Sequence, residues 1–474
     1  MLRILGAGAV GIGCSSGDEE SPTQPPPQGN PPDGGGGVSE PPPAPPEPSG
    51  LAMLQEIDTI VVVMMENRSF DHYFGALKRD PTYVNRAAVA GTTGTESNPA
   101  PSGPKVGIYK ADTFTLADPP HSFAASHTQW NDGKNDQFVI AHKGANQNQV
   151  MAYYDRSQIP FYHWLADNFT ICDHWFASVM GPTWPNRFYL HAGTSSGKKN
   201  NTPIEANAPT TIWEQMKAAG KTAKNYYAGK SAFFAGGFPT KVREGVNPVV
   251  EMDAFFADAK AGKLPNLSYI DPDWSVSDDH PAHDIRLGQA FVSSIYKALA
   301  ASPQWSRSLL IIIYDEHGGF WDHVPPPAAP DDNAEFRQFG FRIPAIIAGP
   351  TVKKGYLSTA AYDHTSVLAT LAARWGLPGL TTRSKAANAL TDVFDPKRYK
   401  KPAEPAPEPP ALTLDQGALA TIGTSSQEEL EQAIADGTIP RELTDPRPHD
   451  LRVQSWLTEA QKLRSVRLSE RTTR

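Results

Sequence analysis

The sequence predicts an α/β fold whose central sheet is mostly parallel and doubly wound, and two observations carry that reading. Three apolar runs are continuous rather than alternating and rich in β-branched residues: DTIVVVMM over 58–65, SLLIIIY over 308–314 and RIPAIIAG over 342–349. Such runs read as parallel strands buried on both faces. Helical patterns lie between them, at 211–220, closing on Gly220, and at 283–302. Strands alternating with helices form a doubly wound sheet.

The flanks differ in composition from this core. Arg3 and the small-residue run ILGAGAVGIG lead to Cys14 in GIGCSSGD, so that residues 1–14 resemble a bacterial lipoprotein signal peptide. The expectation is an exported protein, cleaved and acylated at Cys14 and held on a membrane by that anchor, or else secreted. Residues 15–50 are Pro, Gly, Ser and acid with almost nothing to bury, the composition of a disordered tether. Residues 51–400 are expected to form the domain that carries the chemistry. From 401 to 474 a linker strip, KPAEPAPEPPALTLDQ, precedes two amphipathic helical patterns, SSQEELEQAIADG and HDLRVQSWLTEAQKLRSVR. The first carries a serine cap ahead of Glu428 and Glu429, and both read as an appendage without chemistry of its own. The only other cysteine is Cys172, which reads as a small core hydrophobe.

Forty-three Lys and Arg against 51 Asp and Glu leave a formal net charge of −8, which offers no general attraction for nucleic acid. Any anion handled here needs a local site. Ligands of open parallel sheets bind beyond the carboxyl ends of the strands. Two of the apolar runs end there in acids, Glu66 with Asn67, and Asp315 with Glu316. Either pair alone would suit capping or a salt bridge. Together they form a set of hard oxygen ligands for one divalent ion, Mg²⁺, Ca²⁺ or Mn²⁺, with Zn²⁺ also open to carboxylates. Without a cation the clustered carboxylates would repel one another.

Thr183 stands in SVMGPTWPNR, a stretch dense in Gly, Pro and Asn that reads as a tight turn holding the hydroxyl outward. Beside a divalent cation such a hydroxyl becomes a serviceable nucleophile. Arg68 and Arg187 flank the motifs and suit either a phosphate clamp or a loop brace through backbone carbonyls. Strand alternation points His317 away from the acid pair. The abundant Trp and Tyr, among them Trp184 and Trp274, suit either core packing or a cage for a quaternary ammonium.

MMENRSFDHYFG, GPTWPNR and DEHGGFWDHVPPP, in this order, resemble the bacterial phosphoesterase family of phospholipases C and respiratory-burst-inhibiting acid phosphatases, within the alkaline phosphatase superfamily. The resemblance covers about residues 55–400. It implies an alkaline-phosphatase-like α/β sandwich with a single-metal site. Residue by residue it implies Glu66, Asn67, Thr183, Asp315 and Glu316 as ligands, with Thr183 also the nucleophile that passes through a phosphothreonine. His127 and His280 match histidines that contact the phosphoryl group. His121, His283 and His323 stand as further substrate-binding candidates. The expected function is that of a secreted, metal-dependent phosphoric ester hydrolase of the phospholipase C type, acting on a phospholipid or other phosphate ester. A phosphomonoester-cleaving acid phosphatase is the alternative within the same chemistry. A non-catalytic surface binding protein is the alternative from another class, disfavoured because all five ligand positions are retained.

Overall fold

Eight strands build the central sheet, and their order sets the acid-tipped ends side by side. The structure is a computed structural model describing residues 47–419 and 423–469. The expected signal segment 1–14, Cys14 included, and residues 15–46 of the expected tether lie outside the described residues. The last tether positions are already structured, since Ser49 caps a helix over Gly50–Leu54.

In chain order the sheet strands are β1 (Thr59–Met65), β2 (Thr170–Cys172), β3 (Ala223–Tyr227), β4 (Val249–Glu251), β5 (Leu267–Asp271), β6 (Ser308–Tyr314), β7 (Ala345–Ala348) and β8 (Tyr356–Ser358). Across the sheet they run β8-β2-β7-β6-β1-β5-β3-β4. β1 lies between β6 and β5 and is parallel to both. Every residue of β1 and of β6 is buried. Side chains alternate between faces, so such a strand must be covered on both sides. Two helix sets provide that cover. One packs Gly50–Leu54 and Thr183–Ala192 on His364–Trp375, and the other packs Pro160–Asn168, Met252–Ala261 and His449–Lys462 around Ile285–Ala300. The α/β class and the mostly parallel sheet are as expected.

One direction was not legible. The run 342–349 does contain a strand, β7, but it lies antiparallel to both β6 and β2. A parallel neighbour needs a crossover that carries the chain back to the opposite edge, usually through a helix. Between Tyr314 and Ala345 there is only one short 3₁₀ turn, Ala334–Phe336. The chain therefore re-enters the sheet from the edge where β6 left it. A continuous apolar run reports burial on two faces and carries no sign for direction.

The helix predicted at 211–220 spans Ile212–Ala218, started by a reciprocal cap between Thr211 and Glu214. The one predicted at 283–302 spans Ile285–Ala300 behind Asp284, whose side chain accepts from the Arg286 N–H. Cys172 is buried in β2. The described residues from 47 onward, C-terminal helices included, belong to one compact unit. Among them no helix is long and apolar enough to cross a membrane.

Candidate active site

Register brings the two acid pairs together. Met65 pairs with Tyr314 at the ends of β1 and β6, so Glu66 and Asp315 leave adjacent strands at the same level. The chain then turns sharply on each side. Asn67 adopts φ 62°, a left-handed conformation that Asn tolerates better than most residues, and its backbone N–H donates to Asp315 Oδ1 at 2.9 Å. The Glu316 N–H donates to the same oxygen at 2.7 Å. Gly318 has φ +64°, and a Cβ there would lie 2.1 Å from the Asn67 carbonyl oxygen. Only glycine fits that crossing of two backbones. Its N–H donates to Glu316 Oε2 at 2.8 Å.

These bonds use one oxygen of each acid and leave the other bare. Asn67 Oδ1, Asp315 Oδ2 and Glu316 Oε1 are buried without a hydrogen-bond partner. Buried polar atoms are almost always paired, so three orphans from three neighbouring residues call for a missing partner. A divalent cation is the partner that fits an all-oxygen, acidic set. Burial, with carboxylate neighbours, pushes the Asp315 carboxyl up to about 6 and that of Glu316 up to about 7. Burial first, then Asp315, raises Glu66 well above the usual carboxylate range. A cation at this point would reverse that pressure.

Thr183 is the first residue of the helix Thr183–Ala192 and is buried. The expected outward-facing turn is thus a helix start. Pro185 fits the first turn, where a missing N–H costs nothing. Asn186 staples the approach: its Oδ1 accepts the Val179 N–H at 2.8 Å, and its amide donates to the Val179, Gly181 and Pro182 carbonyls. Arg187 lies four residues beyond Thr183 and so shares its helix face. Its guanidinium donates to Glu66 Oε1 at 3.2 Å and to Asp271 Oδ1 at 3.2 Å, and its Nε is 4.0 Å from Asp315 Oδ2. The Arg187 face of the helix is therefore turned to the acid pairs. Arg187 also donates to the Met64 carbonyl and sits 4.6 Å from the Trp274 ring centroid. It braces the strand end, as does Arg68, which donates to the Asp279 carbonyl at 2.8 Å and contacts His72. Trp184 and Trp274 are both buried, which spends them on packing.

The histidines sort differently from expectation. Of the five candidate histidines, His121 contacts the ligand set, with Nε2 3.3 Å from Asn67 Nδ2 and 3.9 Å from Glu316 Oε1, while Nδ1 is tied to the Pro119 carbonyl. The His280 ring lies 5.8 Å from it, with Nδ1 tied to the Pro281 carbonyl. Asp118, His121 and His280 also converge closely enough to share an ion. Burial holds His280 neutral, at about 4. Burial works against the charged form of His121, but Glu316 and Asp118 outweigh it and raise its pKa. His127 is not brought onto the acids. Its Nδ1 donates to the Phe123 carbonyl at 2.7 Å and its ring packs against the Phe123 ring, which flanks the position of Gly181. Both ring nitrogens of His283 are taken, by Asp278 Oδ1 at 2.6 Å and the Thr424 carbonyl at 3.1 Å. His323 pairs with Asp71 at 2.6 Å in an ion cluster with Arg342 and Asp322, so it is not presented to the acids as a substrate contact. His317 does not turn wholly away: its Nδ1 is 2.9 Å from Glu316 Oε2, and its Nε2 contacts Gln129 at 2.8 Å.

Sequence reasoning missed Ser426 and Gln427 altogether. Ser426 Oγ lies 2.7 Å from Asp278 Oδ2 and 3.1 Å from Glu66 Oε2. Gln427 Nε2 is 3.0 Å from each Glu66 oxygen. The expected serine cap is absent for the same reason: the helix Glu428–Ala435 begins at Gln427 without a side-chain cap, because the Ser426 hydroxyl is committed to the site.

Known proteins similar in sequence to this chain include phospholipases C by name. Non-specific phospholipase C1 of Arabidopsis thaliana is 35% identical over 383 residues, 71% of each chain. Phospholipase C B of Mycobacterium tuberculosis (strain ATCC 25618 / H37Rv) is 30% identical over 427 residues, 76% of this chain and 81% of its own. Among solved structures, the phosphonate monoester hydrolase of Agrobacterium radiobacter covers 71% of this chain and 77% of its own, at TM-score 0.34 and 10% identity. The Phosphoesterase family model matches residues 57–378, a span that takes in β1, the Thr183 helix and the β6 edge. With that match over most of its length, the chain belongs to the Phosphoesterase family and is a hydrolase of phosphoester bonds.

Proposed function

We propose that this protein is a phospholipase C-type phosphodiesterase with Thr183 as nucleophile and one divalent cation held by Glu66, Asn67, Thr183, Asp315 and Glu316. The observation that carries the reading is the trio of orphaned buried oxygens on Asn67, Asp315 and Glu316. When bound, the cation would lower the pKa of the Thr183 hydroxyl and offset charge on the phosphoryl oxygens. The protein's own groups account for the remaining steps. Thr183 Oγ1 gives up its proton to solvent and attacks phosphorus, the diacylglycerol oxygen departs with a proton from His121, and a phosphothreonine ester of the head group remains. Water then attacks phosphorus, releasing the phosphorylated head group and restoring the hydroxyl. His121, whose acidic neighbours favour its protonated form, is placed to donate to the phosphoryl or leaving oxygen. His280, neutral with only Nε2 free, is placed to accept the proton of the attacking water.

Two observations favour a diester over a monoester. The relatives named above are phospholipases C. In addition, Arg187 is ion-paired with Glu66 and Asp271, so its charge is already balanced and does not offset the extra charge of a monoester dianion. The test is kcat/KM on a matched phosphatidylcholine and aryl phosphate, with and without chelator. A diester preference that chelator abolishes supports the proposal. A monoester preference above about a hundredfold, ~2.7 kcal/mol of discrimination, hands the assignment to the acid phosphatase reading. We propose also that the protein is exported and anchored through Cys14, on the support of the sequence GIGCSSGD and the Pro/Gly-rich stretch after it.

A further inference from the structure

We propose that Ser426 and Gln427, which follow the expected end of the catalytic domain, are positioning residues of the active site that fix the Glu66 carboxylate for metal binding. The inference rests on the reading of Glu66 as a ligand.

The orientation of the Gln427 amide follows from its partners. Trp184 Nε1 lies 2.7 Å from Gln427 Oε1. An indole N–H can only donate, so the atom facing it must be the amide oxygen. The NH₂ group must then face Glu66, where it stands 3.0 Å from both oxygens. Equidistance places it on the chelating face of the carboxylate. Glu66 is thereby closed to a bidentate approach from that side. Arg187, on the helix Thr183–Ala192, fixes Oε1, and Ser426 reaches Oε2, so the carboxylate cannot rotate without losing one of these bonds.

The segment bearing these two side chains is itself pinned. The Ser426 N–H donates to the Trp274 carbonyl at 2.7 Å, and the Gly423 N–H to the Ser275 carbonyl at 3.1 Å. His283 holds the Thr424 carbonyl while gripping Asp278. Asp278 in turn accepts from Ser426 and, through its backbone carbonyl, from the Glu66 N–H at 2.8 Å. Gln427 also joins Glu66 to Trp184, the neighbour of Thr183. A strap about 360 residues downstream of Glu66 thus ties one ligand to the start of the nucleophile's helix. This accounts for two otherwise costly facts: Gln427 is 2% exposed, and a serine at a helix start declines to cap it.

The experiment uses the full-length chain, stripped by chelator and titrated with Mn²⁺, Ca²⁺ and Zn²⁺ in turn by calorimetry. Wild type, Glu66→Ala, Ser426→Ala, Ser426→Thr and Gln427→Met are compared, with kcat, KM and the melting midpoint of the metal-free protein. Groups that orient a ligand typically contribute ten- to a hundredfold in metal affinity. Ser426→Ala and the isosteric Gln427→Met are therefore expected to weaken metal binding by about tenfold or more and to lower kcat with little change in KM. Ser426→Thr restores the hydroxyl and should recover most of the loss. The metal-free melting midpoint should fall modestly in Ser426→Ala and Gln427→Met, by the buried hydrogen bonds removed, and the loss of affinity is read in addition to it. If Glu66→Ala loses metal while Ser426→Ala and Gln427→Met bind it like wild type, the ligand reading stands and this inference falls. If both variants lower the metal-free midpoint and leave affinity alone, the role is structural and the inference also falls. Failure of wild type to bind any of the three ions overturns the metal reading and this inference with it.

Discussion

The backbone N–H of Asn67 donates to Oδ1 of Asp315 at 2.9 Å, and this bond ties the ends of two adjacent parallel strands into one site. It also occupies the oxygen of Asp315 that does not face the orphaned group, leaving Oδ2 bare beside Asn67 Oδ1 and Glu316 Oε1.

Asp315→Asn separates these two duties. Asparagine can keep an oxygen for the Asn67 and Glu316 N–H groups while removing the charge. The variant should fold, lose bound metal, and lose about 10³-fold in kcat/KM, ~4 kcal/mol of transition-state stabilisation. Metal analysis and steady-state kinetics check it, and near-normal activity would remove Asp315 from the ligand set.

Thr183→Val is nearly isosteric and should leave the fold intact while turnover drops to background. Thr183→Ser should keep part of the activity, since the hydroxyl survives at the helix start. Quenching with a phosphorus-labelled substrate and mapping the label checks the assignment. Label on any residue other than Thr183 contradicts it.

Gly318→Ala places a Cβ 2.1 Å from the Asn67 carbonyl oxygen in a left-handed backbone. The strain should cost at least ~1–3 kcal/mol and displace the Asn67 turn. A lower melting midpoint together with weakened metal binding is expected. A variant with wild-type stability would mean that the crossing relaxes without cost.

Burial raises Asp315 to about 6 and Glu316 to about 7 in the metal-free protein. Because these folded values lie above the usual carboxylate range, the folded state binds more protons than the unfolded chain at intermediate pH. The associated stability is present below the unfolded carboxylate pKa and is lost as pH rises through about 6 to 7. A divalent ion competes with protons for the same oxygens. The metal-induced rise in melting temperature should therefore grow between about pH 5 and pH 8. A rise that is flat or shrinks over that range would contradict the shared site.

Cys14→Ala should move the expressed protein from the membrane fraction to a soluble one or leave it unprocessed. Fractionation and mass spectrometry check this. Unchanged fractionation with no acyl group on Cys14 ends the anchor proposal.

What the sequence determined by itself was local or periodic. Seven consecutive buried positions in β1 and in β6 left an unbroken apolar pattern, and the acids that follow each run mark the strand ends whatever the rest of the chain does. Glu66, Asn67, Asp315 and Glu316 could therefore be found as a group before any contact was known. The helical patterns at 211–220 and 283–302 were legible for the same reason, since helix periodicity is local.

The tertiary structure decided what periodicity does not encode. The direction of β7 depends on which edge the chain re-enters, and an apolar run has no polarity to report it. The GPTWPNR stretch holds the residues of a turn and of a helix start alike, and packing against Glu66 and Asp271 selects the helix. The histidines His121, His127, His280, His283 and His323 carry the same chemistry at every position, so only their neighbours separate His121, which contacts the ligand set, and His280 beside it from the three that do not. Ser426 and Gln427 were hidden most completely. The serine reads as an ordinary helix cap until the fold carries Ser426 and Gln427 to Glu66, 360 and 361 residues away, where burial makes each hydrogen bond costly to leave unmade.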